Sequence, residues 1–222
     1  MSKHQTALAP VKFRSRPGEG AILETSRRMV PHPNGTAGFQ ISLDLLSAPV
    51  PERRYVADAA NVTYNNGFVH LIFWQKKITG NEARSMVIVS LTSLSILQYF
   101  QNAEAQIGQL EKLSSTQQKL EGSLDKLPEE PAQTVCLAAN IIATGWSGRE
   151  ACMDFYHASP FVLGMIATNN SKFTAEPIVR VNLSTGVLLA LFSQLKLLKP
   201  SFPQDDLDTL KLMSQSGGSA NA

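Results

Sequence analysis

The hydrophobic pattern of this chain is a pair of strand-like runs, each giving way to a helical stripe. Val56 to Tyr64 is β-prone, Asn65-Asn66-Gly67 is a strong hairpin signal, and Phe68 to Lys76 predicts the returning strand. Thr79-Gly80-Asn81 turns the chain into a third strand, Arg84 to Ser90. Thr92 or Ser93 then offers an N-cap oxygen to a helix carrying Leu94, Leu97 and Phe100 on one stripe. Further on, Ser159-Pro160 makes a turn and Asn169-Asn170-Ser171 loops into a strand at Ile178 to Val181. Ser184 or Thr185 caps a second helix, whose Leu188, Leu191, Phe192 and Leu195 follow the i, i+3, i+4, i+7 pattern. Phe39 to Leu46 adds an earlier strand to the first unit. Val135 to Ala143 does so for the second, although its alanines also suit a helix.

The two units match each other in type and order. Gly67-Phe68-Val69 and the run to Trp74 resemble Pro160-Phe161-Val162 and the run to Ala167, 93 positions on. At that spacing Asn61 to Tyr64 falls opposite Asp154 to His157. Met86 to Ser93 resembles Ile178 to Thr185 at a spacing of 92, and both helices share a phenylalanine, Phe100 and Phe192. The expected fold is α+β. It is an internal duplication of an antiparallel β-sheet module of three to four strands, closed by one helix, with the helices on one face of the sheet. The expected organisation is a flexible basic arm at 1–36, a first repeat at 37–106 and a polar helical connector at 107–131. A second repeat at 132–199 and a disordered tail at 200–222 complete it.

Strand alternation divides Phe68 to Lys76 into two faces. Val69, Leu71 and Phe73 are expected beneath the helix; Phe68, His70, Ile72, Trp74 and Lys76 point the other way. The matching row in the second unit is Phe161, Leu163, Met165 and Ala167, apolar but without the polar and basic members. Clean alternation is the mark of a sheet with one wet face. These strands lack it, so both faces are expected to be apolar and one of them to meet another sheet or another chain.

Composition narrows the function. In 222 residues the charged share is only 17%, against about 25% in an average domain, and the net charge is +2. Such a surface has no global attraction for nucleic acid or anionic lipid. The N-terminal residues have no secretory h-region, and the longest mainly apolar stretch, Val135 to Ala143, is about half what a membrane-spanning helix needs. A cytoplasmic protein with reduced Cys136 and Cys152 is expected. Arg14, Arg16, Arg27 and Arg28 form a local basic bias that could contact phosphate, as could Lys76.

No phosphate-binding glycine motif or HExxH occurs, and His4, His32, His70 and His157 are dispersed. No cofactor or metal is expected. Cys152, Asp154 and His157 invite a catalytic reading, but strand alternation puts Cys152 and Asp154 on one face and His157 on the other. Trp146, between glycines, reads as a loop residue folded onto the edge of the core.

The order Asn-Val, then Gly-Phe-Val-x-Leu-x-Phe, then a Val-Ile-Val strand and a capped apolar helix resembles a small uncharacterised bacterial family, a domain of unknown function. Asn61, Val62, Phe68, Leu71 and Phe73 with Val87 to Thr92 carry the likeness; Ser159-Pro160-Phe161 and Val179 to Ser184 carry it in the second unit. The resemblance implies a fold and no activity. More distantly, the duplicated strands-then-helix unit is similar to the Whirly and PUR nucleic-acid-binding architectures. The function expected is that of a non-catalytic structural or adaptor protein. It would form homo-oligomers or bind a protein partner through its sheet faces. The alternative is single-stranded nucleic-acid binding through Phe68, His70 and Trp74.

Overall fold

The computed structural model describes residues 21–24, 26–31, 37–42, 49–76, 83–114, 134–159, 172–209 and 211. Its strands are β1 (Ala21–Glu24), β2 (Ser26–Pro31), β3 (Ala37–Ser42), β4 (Arg54–Ala57), β5 (Ala59–Asn65), β6 (Phe68–Lys76) and β7 (Ala83–Thr92). Helix α1 (Ser93–Ser114) separates these from β8 (Val135–Ala138), β9 (Ile141–Ser147), β10 (Glu150–His157) and β11 (Lys172–Ser184). Helix α2 (Thr185–Leu198) follows. The fold is α+β, with a four-stranded sheet ordered β5-β6-β7-β8 and a sheet ordered β1-β11-β10-β9 to which β4 adds beside β11.

Local chemistry accounts for the elements. Asn66 and Gly67 take φ of 50° and 82°, the pair of left-handed residues that a two-residue hairpin needs to match strand twist. Thr92 Oγ1 accepts from the Ser95 N–H and Ser184 Oγ from the Val187 N–H, so both helices open on a hydroxyl cap. On α2, Leu188, Leu191, Phe192 and Leu195 are all buried, as the stripe requires.

The same plan runs twice, at spacings that differ from the expected pairing. β6 and β10 follow the same sequence of exposed and buried positions, with four consecutive buried residues in each, 82 positions apart. Each carries its register shift at the same place, Phe73/Trp74 and Phe155/Tyr156. The Asp58 N–H donates to the Trp74 carbonyl and its Oδ2 accepts from the Lys76 N–H. Asn140 repeats both bonds with Tyr156 and Ala158. Beyond these strands the spacing becomes 92: Ser93 bonds the Gly67 carbonyl as Thr185 bonds that of Arg149. Copy two therefore holds a longer connection between its second and third strands. That insertion is why matching hydrophobic runs placed Phe161 opposite Phe68; the partner of β11 is β10, beginning at Glu150. Likewise Asn61 to Tyr64 on β5 corresponds to Ala143 to Trp146 on β9 and not to Asp154 to His157.

The modules are not self-contained. β4 precedes copy one yet pairs in parallel with β11, Tyr55 opposite Val181, while β8 precedes copy two and pairs in parallel with β7, Leu137 opposite Val89. The cause lies in Asp58 and Asn140. Each is pinned to the end of its own hairpin by backbone and side chain, so the preceding strand continues onto the other sheet. An all-antiparallel unit was expected; the outer strand of each is parallel and exchanged. Packing is exchanged too. On α2, Gln194 Nε2 donates to the Ala60 carbonyl and its Oε1 accepts from the Val62 N–H, along β5. On α1, Tyr99 Oη lies 2.7 Å from Thr144 Oγ1 of β9.

Equivalent residues meet between the copies. Phe73 packs edge-on against Phe155 with ring centroids 5.9 Å apart, and Phe100 against Phe192 at 4.8 Å. These rings stand in one continuous core drawn from both copies.

Several boundaries move. Ala21–Glu24 and Ser26–Pro31, read as part of an arm, form β1 and β2. The strand near Phe39 is β3, which pairs with β2 and not with the copy-one sheet. Helix α1 runs without a break to Ser114, across the boundary expected at 106 and into the stretch read as a helical connector. Val135 to Ala143 holds β8 and the start of β9, broken at Ala139 and Asn140, and not one strand or a helix. Part of the stretch read as a disordered tail packs on the fold: Pro200 turns the chain after Leu198, Phe202 is buried with its ring 5.3 Å from Tyr64, and Ser93 Oγ donates to Asp206. No helix of the described residues is long and apolar enough to cross a membrane.

Candidate interaction face

On β6, Val69, Leu71 and Phe73 join the main core, as alternation predicts. The opposite face divides. Ile72 and Trp74 are 7% and 2% exposed and form a separate apolar cluster with Ala59 and Ile88. The Trp74 indole N–H is buried without a hydrogen-bond partner. Towards the hairpin the row opens: His70 Nδ1 lies 2.8 Å from Ser90 Oγ, and Phe68 is 47% exposed. The five residues therefore do not form one open strip. Phe68 and Lys76 are exposed at the two ends, and the middle is closed within the chain.

The corresponding face of the other sheet is unlike it. At the places of Ile72, Trp74 and Ile88 stand Asp154, Tyr156 and Arg180. Arg180 Nε and Nη2 each donate to Asp154 at 2.6 Å, a bidentate pair with little water around the carboxylate. The carboxylate holds the guanidinium above its usual range. Burial, then the charge of Asp154, pushes the Tyr156 phenol well up, and its hydroxyl donates to the Pro49 carbonyl. The expectation that both copies are apolar on both faces therefore fails for copy two. A charge pair can stand there because the contact is bidentate and Arg180 keeps about a quarter of its side chain in water.

Of the row assigned to copy two, Phe161, Leu163 and Met165 lie outside the described residues, as do Arg14 and Arg16. Arg27 and Arg28 are on β2, opposite Ile41 and Gln40. Lys76 is exposed at the end of β6, with its N–H given to Asp58. Cys152 and Asp154 share a face of β10, and both Asp154 oxygens are occupied by Arg180. Trp146 lies on β9, a strand and not a loop, packed against the core. Among the described residues no group of three or more His, Cys, Asp or Glu side chains is placed to hold a metal ion. The exchanged strands and the Asp154–Arg180 pair were missed by sequence reasoning. The second was legible once β10 and β11 are aligned, since an opposite-charge pair then falls directly across two strands.

Compared with protein-family models, curated proteins and solved structures, the chain matches none.

Proposed function

We propose that this chain is a non-catalytic structural or adaptor protein that associates, with a second copy or another protein, through the outer face of the β5–β8 sheet. The observation that carries this reading is the row running from Phe68 to Trp74. It is an apolar face on a sheet whose other side already holds the main core, and Phe68 is its open end. A sheet apolar on both sides has two surfaces to keep from water. In this reading the helices close the inner faces, Ile72 and Trp74 are covered within the chain, and the open end of the row at Phe68 is left to a partner. Size-exclusion chromatography with light scattering tests it on the wild-type chain and on Phe68→Ser. The expected mass exceeds one chain and falls to one chain in the variant. A well-folded wild-type monomer at high micromolar concentration overturns the self-association form of the proposal.

Exposed Phe68 and Lys76 on one strand favour the nucleic-acid alternative, whereas the burial of Trp74 removes its central stacking platform. Oligonucleotide binding that weakens steeply with salt and disappears in Phe68→Ala would select it instead.

A further inference from the structure

The contacts between the two copies have the form of a two-fold interface, in which each surface patch meets its own equivalent. Phe73 meets Phe155 and Phe100 meets Phe192. β4 enters the sheet of copy two at the register by which β8 enters that of copy one. Gln194 of α2 holds β5, and Tyr99 of α1 contacts β9. Neither sheet is complete without a strand from the other copy. Nothing in these contacts depends on both copies belonging to one chain. Their covalent link is the stretch at 115–133.

We infer that the inter-copy interface is also a docking surface for a second molecule of this chain: copy one of each molecule completes copy two of the other, giving a reciprocally exchanged dimer. Every contact of the monomer recurs in it, so the competition is set by concentration. The monomer therefore wins in dilute solution and the dimer gains ground as the concentration of chains rises. Interconversion requires β4, β8 and both helices to leave their partners, so a dimer formed during folding persists on dilution. This mode stands apart from association through the sheet face, because it does not use Phe68.

Ser90 and Ala138 are register partners on β7 and β8, and Cα atoms of paired strands lie within the reach of a disulfide. In chains carrying Cys136→Ser and Cys152→Ser, one variant takes Ser90→Cys and another Ala138→Cys. The two are unfolded together, refolded at millimolar concentration and oxidised. A chain carrying both substitutions, refolded dilute, is the reference and should close its disulfide within the monomer. The expected result is a dimer linked between the two variants after joint refolding, and no such link when the variants are folded separately and then mixed. Monomer alone after concentrated refolding overturns the inference. So does a dimer that forms without the inter-chain link, and that result would point to the sheet face. Failure of the reference disulfide overturns the β7–β8 register on which the inference rests.

Discussion

At the scale of single residues, the clearest contrast is between Ile72 and Ile88 on one sheet and Asp154 and Arg180 at the equivalent places on the other. Removing one member of a well-bonded buried pair leaves a stranded charge and typically costs about 3–5 kcal/mol; replacing both by apolar groups is often neutral or stabilising. Asp154→Ala should fall toward the lower end of that range, because Arg180 keeps about a quarter of its side chain in water. The double change Asp154→Ile with Arg180→Ile, which copies the other sheet, should recover most of the loss in urea unfolding. A double variant no more stable than the single one would show that the pair is not the source of the cost. A second residue-scale effect concerns alkali. Burial, opposed by the bond to Thr144, pushes the Tyr99 phenol up to about 12 from an ordinary 10.0. The folded chain therefore keeps a proton that the unfolded chain releases. The contribution is complete below pH 10 and is lost as the pH rises toward 12, at up to about 1.4 kcal/mol per pH unit. Tyr156 acts with the same sign. Urea midpoints followed through the alkaline range should fall less steeply in Tyr99→Phe than in the wild type; identical slopes would remove Tyr99 from the account.

Among the elements, β5 is an edge strand, and open edges invite pairing with other chains. Gln194 answers this by presenting its amide to β5 as a neighbouring strand would, accepting from Val62 and donating to Ala60. Gln194→Ala should cost about 1–3 kcal/mol through the two lost bonds. It should also speed hydrogen exchange at the Val62 amide more than at amides of the central strand β6. Uniform acceleration across both strands would mean that the glutamine supports global stability and not this edge. The helix pattern alone would have placed Gln194 in water, since only its position over β5 gives the amide partners.

For the whole molecule, exchange of β4 and β8 makes each copy a structural part of the other. Trp74 sits in one sheet and Trp146 in the other, so their fluorescence samples both halves. Unfolding followed through Trp74→Phe and Trp146→Phe variants should give one shared transition; two separated midpoints would show that the copies fold as independent domains. The aromatic pair between the copies makes a related test. Phe73→Ala or Phe155→Ala should cost about 3–5 kcal/mol. The double variant should fall short of the sum by about 0.5–1.5 kcal/mol, because the second change removes a ring contact already lost. Strict additivity would mean that the two rings, 5.9 Å apart, are not coupled.

Read alone, the chain determined what is local. The β5–β6 turn follows from Asn66-Gly67, the helix starts from Thr92 and Ser184, and the buried stripes from spacings of three and four, since each depends on neighbours within a few residues. The likeness of Met86–Ser93 to Ile178–Thr185 was legible from sequence self-comparison, and the burial of Val69, Leu71 and Phe73 from alternation. The alignment of the copies was not: an insertion between the second and third strands leaves hydrophobic runs free to match out of place, and only the β10–β11 register decides among them. Nor could alternation tell where β4 and β8 would pair, because the pattern within a strand says which face is apolar and nothing of which sheet receives it. That choice lay with Asp58 and Asn140, whose bonds to Trp74 and Tyr156 turn the chain from one sheet to the other and exist only once those sheets have formed.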